Sequence, residues 1–211
     1  MHPILPLESL EKSSKFDFIE HDVRQKIDVS CDAIVNFACP ASPVHYQSDP
    51  IRTIETTFLG THNLLKLAAK NSIRILQAST SEVYGTARFV PITEDHPLSG
   101  QSPYSASKIG ADQIAYSFYA SFDLPVVIAR PFNNYGPRQS LRAVIPDLIT
   151  QIATGNKKIK LGSMHPTRDF TFVEDIVDGV VKAIDNPLGY QILNIGRGEP
   201  IVLADFINIM E

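Results

Sequence analysis

Short, β-branched apolar runs alternate with helical periodicities along this chain, and that alternation points to a layered fold built on a parallel sheet. The strand-like runs are Phe16 to Ile19, Ala33 to Phe37, Ile73 to Leu76, Val126 to Ala129, Ile159 to Leu161, Phe170 to Val173 and Gln191 to Ile195. Between several of them, residues 51–70, 104–121, 142–154 and 174–186 place apolar side chains at helical spacing, as with Leu64, Leu65, Leu67 and Ala68. With 211 residues there is chain enough for one sizeable core and a small second lobe. The expected fold class is α/β.

In an open parallel sheet, ligands bind beyond the carboxyl ends of the strands. Two polar clusters fall at such positions. Ser79-Thr80-Ser81-Glu82-Val83-Tyr84-Gly85 follows the run Ile73 to Leu76, and Arg130-Pro131-Phe132-Asn133-Asn134-Tyr135-Gly136-Pro137-Arg138 follows Pro125 to Ala129. Between them lies Tyr104-Ser105-Ala106-Ser107-Lys108 on a predicted helix, where residues i and i+4 share one face. A free tyrosine titrates near about 10, so a fixed ammonium nearby is expected to lower that value and let Tyr104 take a hydroxyl proton. Thr80 can hold the same oxygen, with Ser81 beside it, and Glu82 offers a separate carboxylate for an adjacent carbon. A tyrosine and lysine at this spacing are commonplace on solvated helices; the flanking clusters turn the balance toward hydride-transfer chemistry. The segment Phe89 to Pro103, punctuated by Pro91, Pro97 and Pro103, reads as a loop over the mouth of the site.

Composition narrows the partners. Charged residues make up 20% and the net charge is −4 without a block of like charge, so neither nucleic acid nor a membrane surface is expected as partner. A small molecule is. No apolar stretch approaches the roughly 20 residues that span a bilayer, and Met1-His2-Pro3-Ile4 lacks a signal-peptide pattern, so the expected location is the cytoplasm. Cys31 and Cys39 make no disulfide framework, and the scattered histidines have no zinc-ligand spacing, so no metal site is expected.

At these motifs the chain resembles the extended short-chain dehydrogenase/reductase superfamily, specifically its NAD-dependent nucleotide-sugar epimerases, dehydratases and decarboxylases. Ser79 to Ala87, Gln101 to Asp112 and Pro166 to Val173 are most similar to UDP-N-acetylglucosamine 4,6-dehydratases. His21-Asp22-Val23 and the stretch Ala38 to Tyr46 are similar instead to UDP-glucuronate decarboxylases. The resemblance implies a Rossmann-like parallel sheet with a small C-terminal substrate lobe, NAD as cofactor and a UDP-sugar as substrate. It implies Tyr104 as base, Lys108 as its electrostatic partner and a nicotinamide-ribose contact, and Thr80 on the sugar 4-hydroxyl. It further implies adenine contacts at Asp22 and Val23, cofactor contacts at Phe37, Ala38 and Cys39, a nicotinamide neighbour at Phe132, and diphosphate contacts at Asn133 and Arg168. Thr57 stands where the family usually has an asparagine near the cofactor.

Each position also has a plainer reading. Asp22 can cap a turn, Asn133 is a common turn former, and Arg168 can be a solvated charge. For Phe37, Ala38 and Cys39 a core-strand role is favoured, whereas Tyr104, Lys108, Thr80, Asn133 and Arg168 fall together on matching positions of one family. Asp175 is read as a helix cap.

No Gly-x-Gly-x-x-Gly loop follows a strand, and the first eleven residues contain no glycine. The expectation is therefore a Rossmann-like sheet lacking its glycine-loop βα unit, with residues 1–135 the truncated cofactor domain and 136–211 mostly a substrate lobe cut short at Glu211. In the family's strand order, the Phe16 and Ala33 strands would flank the missing ones. Three functions are weighed: 4,6-dehydration of a UDP-hexose first, then UDP-glucuronate decarboxylation, then a non-catalytic relative that binds a nucleotide sugar or full-length subunits. Ser81 stands where the best-known dehydratases place an aspartate. Helices near 51–70 and 104–121 resemble those that pair family subunits as a four-helix bundle, so a homodimer is expected.

Overall fold

The computed structural model describes residues 10, 12–156, 158–186 and 189–210. The opening residues and Glu211, which carry the signal-peptide and chain-end expectations, lie outside them. Four parallel strands form the main sheet: β1 (Ala33–Asn36), β2 (Arg74–Ala78), β3 (Val126–Pro131) and β7 (Tyr190–Ile195), ordered β1-β2-β3-β7. Register pairs Val35 with Leu76, Leu76 with Val127 and Val127 with Gln191. The alternation of side chains splits the core between two faces. Ile75, Val126 and Ile128 meet Leu64, Leu65 and Ala115 from helices α2 (Pro50–Asn71) and α3 (Pro103–Phe122). Leu76, Val127 and Ala129 meet Ile176, Val180 and Ala183 of α5 (Val173–Asp185). Burial on both faces is why the central strands read as continuous apolar runs rather than alternating ones.

The long helices have well-marked ends. Asp49 accepts the Arg52 N–H ahead of Pro50, and α2 stops at Ser72 with φ 54°. The hydroxyls of Ser102 and Ser105 bond each other's backbone N–H groups in a capping box before Pro103, which fixes Tyr104 in the first turn of α3. Gly60 in α2 lets the segment ahead of β1 lie close, since an added Cβ would come within 2.9 Å of Val23 Cγ2.

Smaller elements surround this frame. Helix α1 (Pro43–Ser48) precedes α2, and α4 (Val144–Ala153) and α6 (Leu203–Met210) lie in the C-terminal part of the chain. Strand β4 (Asn133–Tyr135) pairs in parallel with β6 (Phe170–Phe172), and β5 (Thr167–Arg168) pairs antiparallel with β8 (Ile201–Val202). Residues 89–102 form a loop, as their prolines predict.

Three expectations are corrected. Phe16 to Ile19 is not a strand, because no strand among the described residues receives its backbone groups, and Phe18 and Ile19 are exposed. Ile159 to Leu161 is not one either, since the side-chain amide of Gln151 accepts the Lys160 N–H at 2.8 Å and donates to its carbonyl at 2.9 Å. Asp175 does not cap α5; it sits in the first turn, after a Phe172 N-cap that makes no side-chain bond.

Candidate active site

Tyr104 and Thr80 are both buried where α3 begins and β2 ends. Lys108, one turn on from Tyr104 and 3% exposed, reaches the end of β2 and donates from Nζ to the Ala78 carbonyl at 2.7 Å. That places its ammonium 5.9 Å from the centre of the Tyr104 ring. Lys108 thus stands where its i+4 spacing places it, but the phenol is not made more acidic. The pKa of Tyr104 is raised well above its ordinary value, chiefly by burial and also by Cys39, Glu82 and Tyr46, while a hydrogen bond from Thr80 opposes the rise. Burial in turn lowers the pKa of Lys108, against Cys39 and Asp112, which favour its charge. Taking the phenol out of water outweighs the Thr80 hydrogen bond that favours the phenolate.

Two clefts lie near this group: Cys39 in the lining of one and Glu82 in the lining of the other both act electrostatically on Tyr104, while Tyr104, Lys108 and Thr80 themselves line neither. The larger, about 870 Å³, is lined by Asp22, Val23, Ala38, Cys39, His45 and Arg52 among others. Asp22 is held to about 2 by the Arg24 side chain and backbone N–H, with Arg24 Nη2 at 2.6 Å. Thr57 is buried beneath this cleft. Its hydroxyl donates to the Thr53 carbonyl at 2.9 Å, so the Cys39 thiol 3.0 Å away is left to donate to Thr57 Oγ1. Phe37 does not join the group: it is exposed and lines neither cleft, because it extends past the end of an edge strand rather than into the core.

The second cleft, about 550 Å³, brings together Ser81, Glu82, Phe132, Asn133 and Arg168 with the loop residues Val90, Pro91 and Ile92. Ser81 and Glu82 lie in a 3₁₀ turn, Ser81–Tyr84, whose first N–H groups are capped by Thr80 Oγ1 accepting from Glu82 N–H at 3.2 Å. Glu82 keeps an exposed surface, yet the protein around its carboxyl raises its pKa; the Arg168 charge opposes that rise. A carboxylate and a guanidinium thus face one cleft beside a tyrosine and a lysine. Among the described residues, no group of three or more His, Cys, Asp or Glu is placed to hold a metal ion, and no helix is long and apolar enough to cross a membrane.

A family model described as GDP-mannose 4,6 dehydratase matches residues 6–210. The chain belongs to this family. Among its curated relatives, UDP-glucuronic acid decarboxylase 1 of Arabidopsis thaliana is 37% identical over 184 residues, which cover 84% of this chain and 42% of that relative. The chain therefore spans less than half the length of that relative. The dTDP-glucose 4,6-dehydratase DesIV from Streptomyces venezuelae, solved with NAD and TYD bound, superposes with a TM-score of 0.86 at 28% identity, covering 97% of this chain and 65% of that one. The UDP-glucuronic acid 4-epimerase from Bacillus cereus, solved with UDP-glucuronic acid and NAD, gives 0.85 at 27% identity, covering 97% and 68%.

This GDP-mannose 4,6 dehydratase family member carries supporting groups that the sequence reading passes over. Tyr46 stacks on Tyr104 with ring centres 5.6 Å apart. Asn36 Nδ2 and the Thr61 hydroxyl both donate to Gln77 Oε1, at 2.8 and 3.2 Å, and Gln77 Nε2 donates to the same Ala78 carbonyl that holds Lys108, at 3.1 Å. Buried Arg130 donates to Asp112 Oδ2 from Nε and Nη2 at 3.2 and 3.0 Å. A polar residue inside a strand-like apolar run, as with Asn36, Gln77 and Arg130, is the signal by which they are detectable, since such groups are buried only with partners.

Proposed function

We propose that the chain carries out NAD-dependent modification of a UDP-sugar through a transient 4-ketone, ending in decarboxylation of UDP-glucuronate. The observation that carries this reading is the Glu82 and Arg168 cleft lying beside Tyr104, Lys108 and Thr80. Asp22, Val23, Ala38 and Cys39 would hold the dinucleotide in the larger cleft, where an aspartate and apolar walls suit a ribose and an adenine. When bound, the nicotinamide supplies the hydride acceptor and donor at sugar C4.

Tyr104 takes the 4-hydroxyl proton, Thr80 orients that oxygen, and the Lys108 ammonium steadies the phenolate. Arg168 and Asn133 hold anionic groups of the substrate; the guanidinium fork suits diphosphate or carboxylate. Once C4 is a ketone, it lies β to the C6 carboxylate. Carbon dioxide leaves with its bonding electrons delocalised onto the ketone oxygen, C5 then takes a proton, and hydride returns to C4. This ending needs no acid for a departing hydroxyl, which agrees with Ser81 in place of a carboxylic acid. The 37% identity to a UDP-glucuronic acid decarboxylase supports the same choice.

Dehydration across C5 and C6, the first expectation from sequence, has support in the raised pKa of Glu82, which suits a base for the C5 proton. Incubation of the purified chain with NAD and carbon-labelled UDP-glucuronate, or UDP-glucose, followed by NMR, separates them. Labelled carbon dioxide and a UDP-pentose support decarboxylation; a 4-keto-6-deoxy sugar supports dehydration. A folded chain that binds UDP-glucuronate but not NAD, by calorimetry, would favour the non-catalytic reading. We also propose a homodimer through α2 and α3, because Ile51, Ile54 and Phe58 form an exposed apolar stripe at helical spacing. A monomer by light scattering overturns it.

A further inference from the structure

The loop of residues 86–101 contains no helix or strand, yet it is fastened by side chains that the proposed chemistry does not use. Arg130, 2% exposed at the carboxyl end of β3, donates from Nη1 to the Tyr84 hydroxyl at 3.0 Å and to the Glu94 carbonyl at 3.3 Å. The Tyr84 hydroxyl donates in turn to Asn194 Oδ1 at 2.6 Å. Asn194 in β7 then donates from Nδ2 to the Ile92 carbonyl at 3.1 Å and from its backbone N–H to Glu94 Oε1 at 2.8 Å.

Within the loop, buried His96 accepts the Arg88 N–H on Nε2 at 3.0 Å, and its ring lies 4.5 Å from that of Phe89 and 5.5 Å from that of Tyr84. Behind Arg130, Asp112 accepts the Ser79 hydroxyl at 2.9 Å, one residue before Thr80. A buried ion pair adds little net stability over an apolar replacement, so its use here is best sought in the geometry it fixes. The loop stretch so fastened, Val90, Pro91 and Ile92, lines the same cleft as Ser81, Glu82 and Arg168.

We propose that Tyr84 and Arg130 are positioning residues that, together with Asn194 in the cleft wall itself, hold Val90, Pro91 and Ile92 as a fixed wall of this cleft and thereby set which substituent at sugar C5 it accepts. The inference rests on reading the cleft as a nucleotide-sugar site. Tyr84 bonds both Arg130 and Asn194 through one oxygen, so its loss leaves the ring packing in place and frees the two side chains whose own bonds to Ile92 and Glu94 hold the loop.

The test compares wild type with Tyr84→Phe and Asn194→Ala, by hydrogen exchange without ligand and by calorimetric titration with UDP-glucuronate and with UDP. Expected is an increase of about tenfold in amide exchange confined to residues 86–101, as befits loss of a buried hydrogen bond. UDP-glucuronate should weaken by about tenfold while UDP keeps its affinity. Unchanged exchange in the loop for both variants overturns the anchoring. A loosened loop with both ligands weakened equally, or neither, overturns the role in specificity. A wild-type chain that binds neither ligand sinks the assignment of the cleft, and the specificity role with it; exchange, which needs no ligand, then decides the anchoring alone.

Discussion

Lys108 Nζ donates a 2.7 Å hydrogen bond to the backbone carbonyl of Ala78, the last residue of β2. The ammonium is therefore fixed to the end of the sheet rather than free to follow Tyr104, and its distance of 5.9 Å from the ring centre is set by the strand. Lys108→Met keeps the apolar stem and removes the charge. The expected outcome is a loss of about 10²–10⁴-fold in the single-turnover rate of C4 oxidation, read from absorbance of the reduced nicotinamide. Because burial already lowers the Lys108 pKa, the thermal midpoint should not fall with it; a large drop would mark Lys108 as mainly a structural residue.

Tyr104 makes a prediction with a definite sign. Its raised pKa means that the fold favours the neutral phenol, so this contribution to stability is whole below the ordinary value of 10.0 and is lost as pH rises beyond it. The rate of C4 oxidation should rise with pH over the same alkaline range, since only the phenolate accepts the proton. Tyr104→Phe should abolish turnover and flatten the alkaline loss of stability, measured by thermal melts across that range. An unchanged rate in the phenylalanine variant would remove Tyr104 from the mechanism.

Glu82 sets stability against chemistry. Its pKa is raised by the surrounding protein, so the charged form burdens the fold, and the contribution present below its ordinary value of 4.5 is lost as pH climbs through the shifted one. Glu82→Gln is expected to melt slightly higher than wild type at neutral pH and to match it in acid. On dehydration the same change should cost about 10²–10⁴-fold, with decarboxylation much less affected. Product analysis by NMR distinguishes the two; equal losses in both reactions would contradict a base at C5.

The four main strands, the two long helices and the Tyr104, Lys108 and Thr80 group are legible in the sequence because each rests on local period or spacing. Phe16 to Ile19 misleads for the converse reason: its pattern is that of a strand, but a strand exists only beside another. Gln151 replaces strand pairing at Lys160 across 9 residues, a substitution no periodicity reveals. The anchoring of the loop is further out of reach, since Tyr84 and Asn194 are 110 residues apart. The direction of the Tyr104 shift was hidden as well. Spacing placed the lysine, whereas the depth of burial that overrides it belongs to the assembled layers.

The Arg130 and Asp112 pair yields a test of how much the network behind the cleft matters. Burial pushes Asp112 up to about 6 even with Arg130, Ser79 and Lys108 favouring its charge, and its Oδ1 has no hydrogen-bond partner among the described residues. Arg130→Met removes the main opposing charge, so the Asp112 pKa should rise further. Breaking a buried pair on one side costs about 3–5 kcal/mol, or about 2–4 °C of melting temperature for each kcal/mol. A carboxyl with a raised pKa gives up stability as pH climbs from its ordinary value to the shifted one, so the deficit of Arg130→Met should widen as pH rises through neutrality. In wild type the corresponding loss is confined to the interval between 3.8 and about 6. The double variant with Asp112→Asn should recover most of the midpoint, because no uncompensated charge is then buried, while the loop stays loosened for want of the guanidinium. Thermal melts of wild type, both single variants and the double variant at several pH values measure this directly. A deficit that does not change with pH would mean that Asp112 carries no titrating charge in the fold.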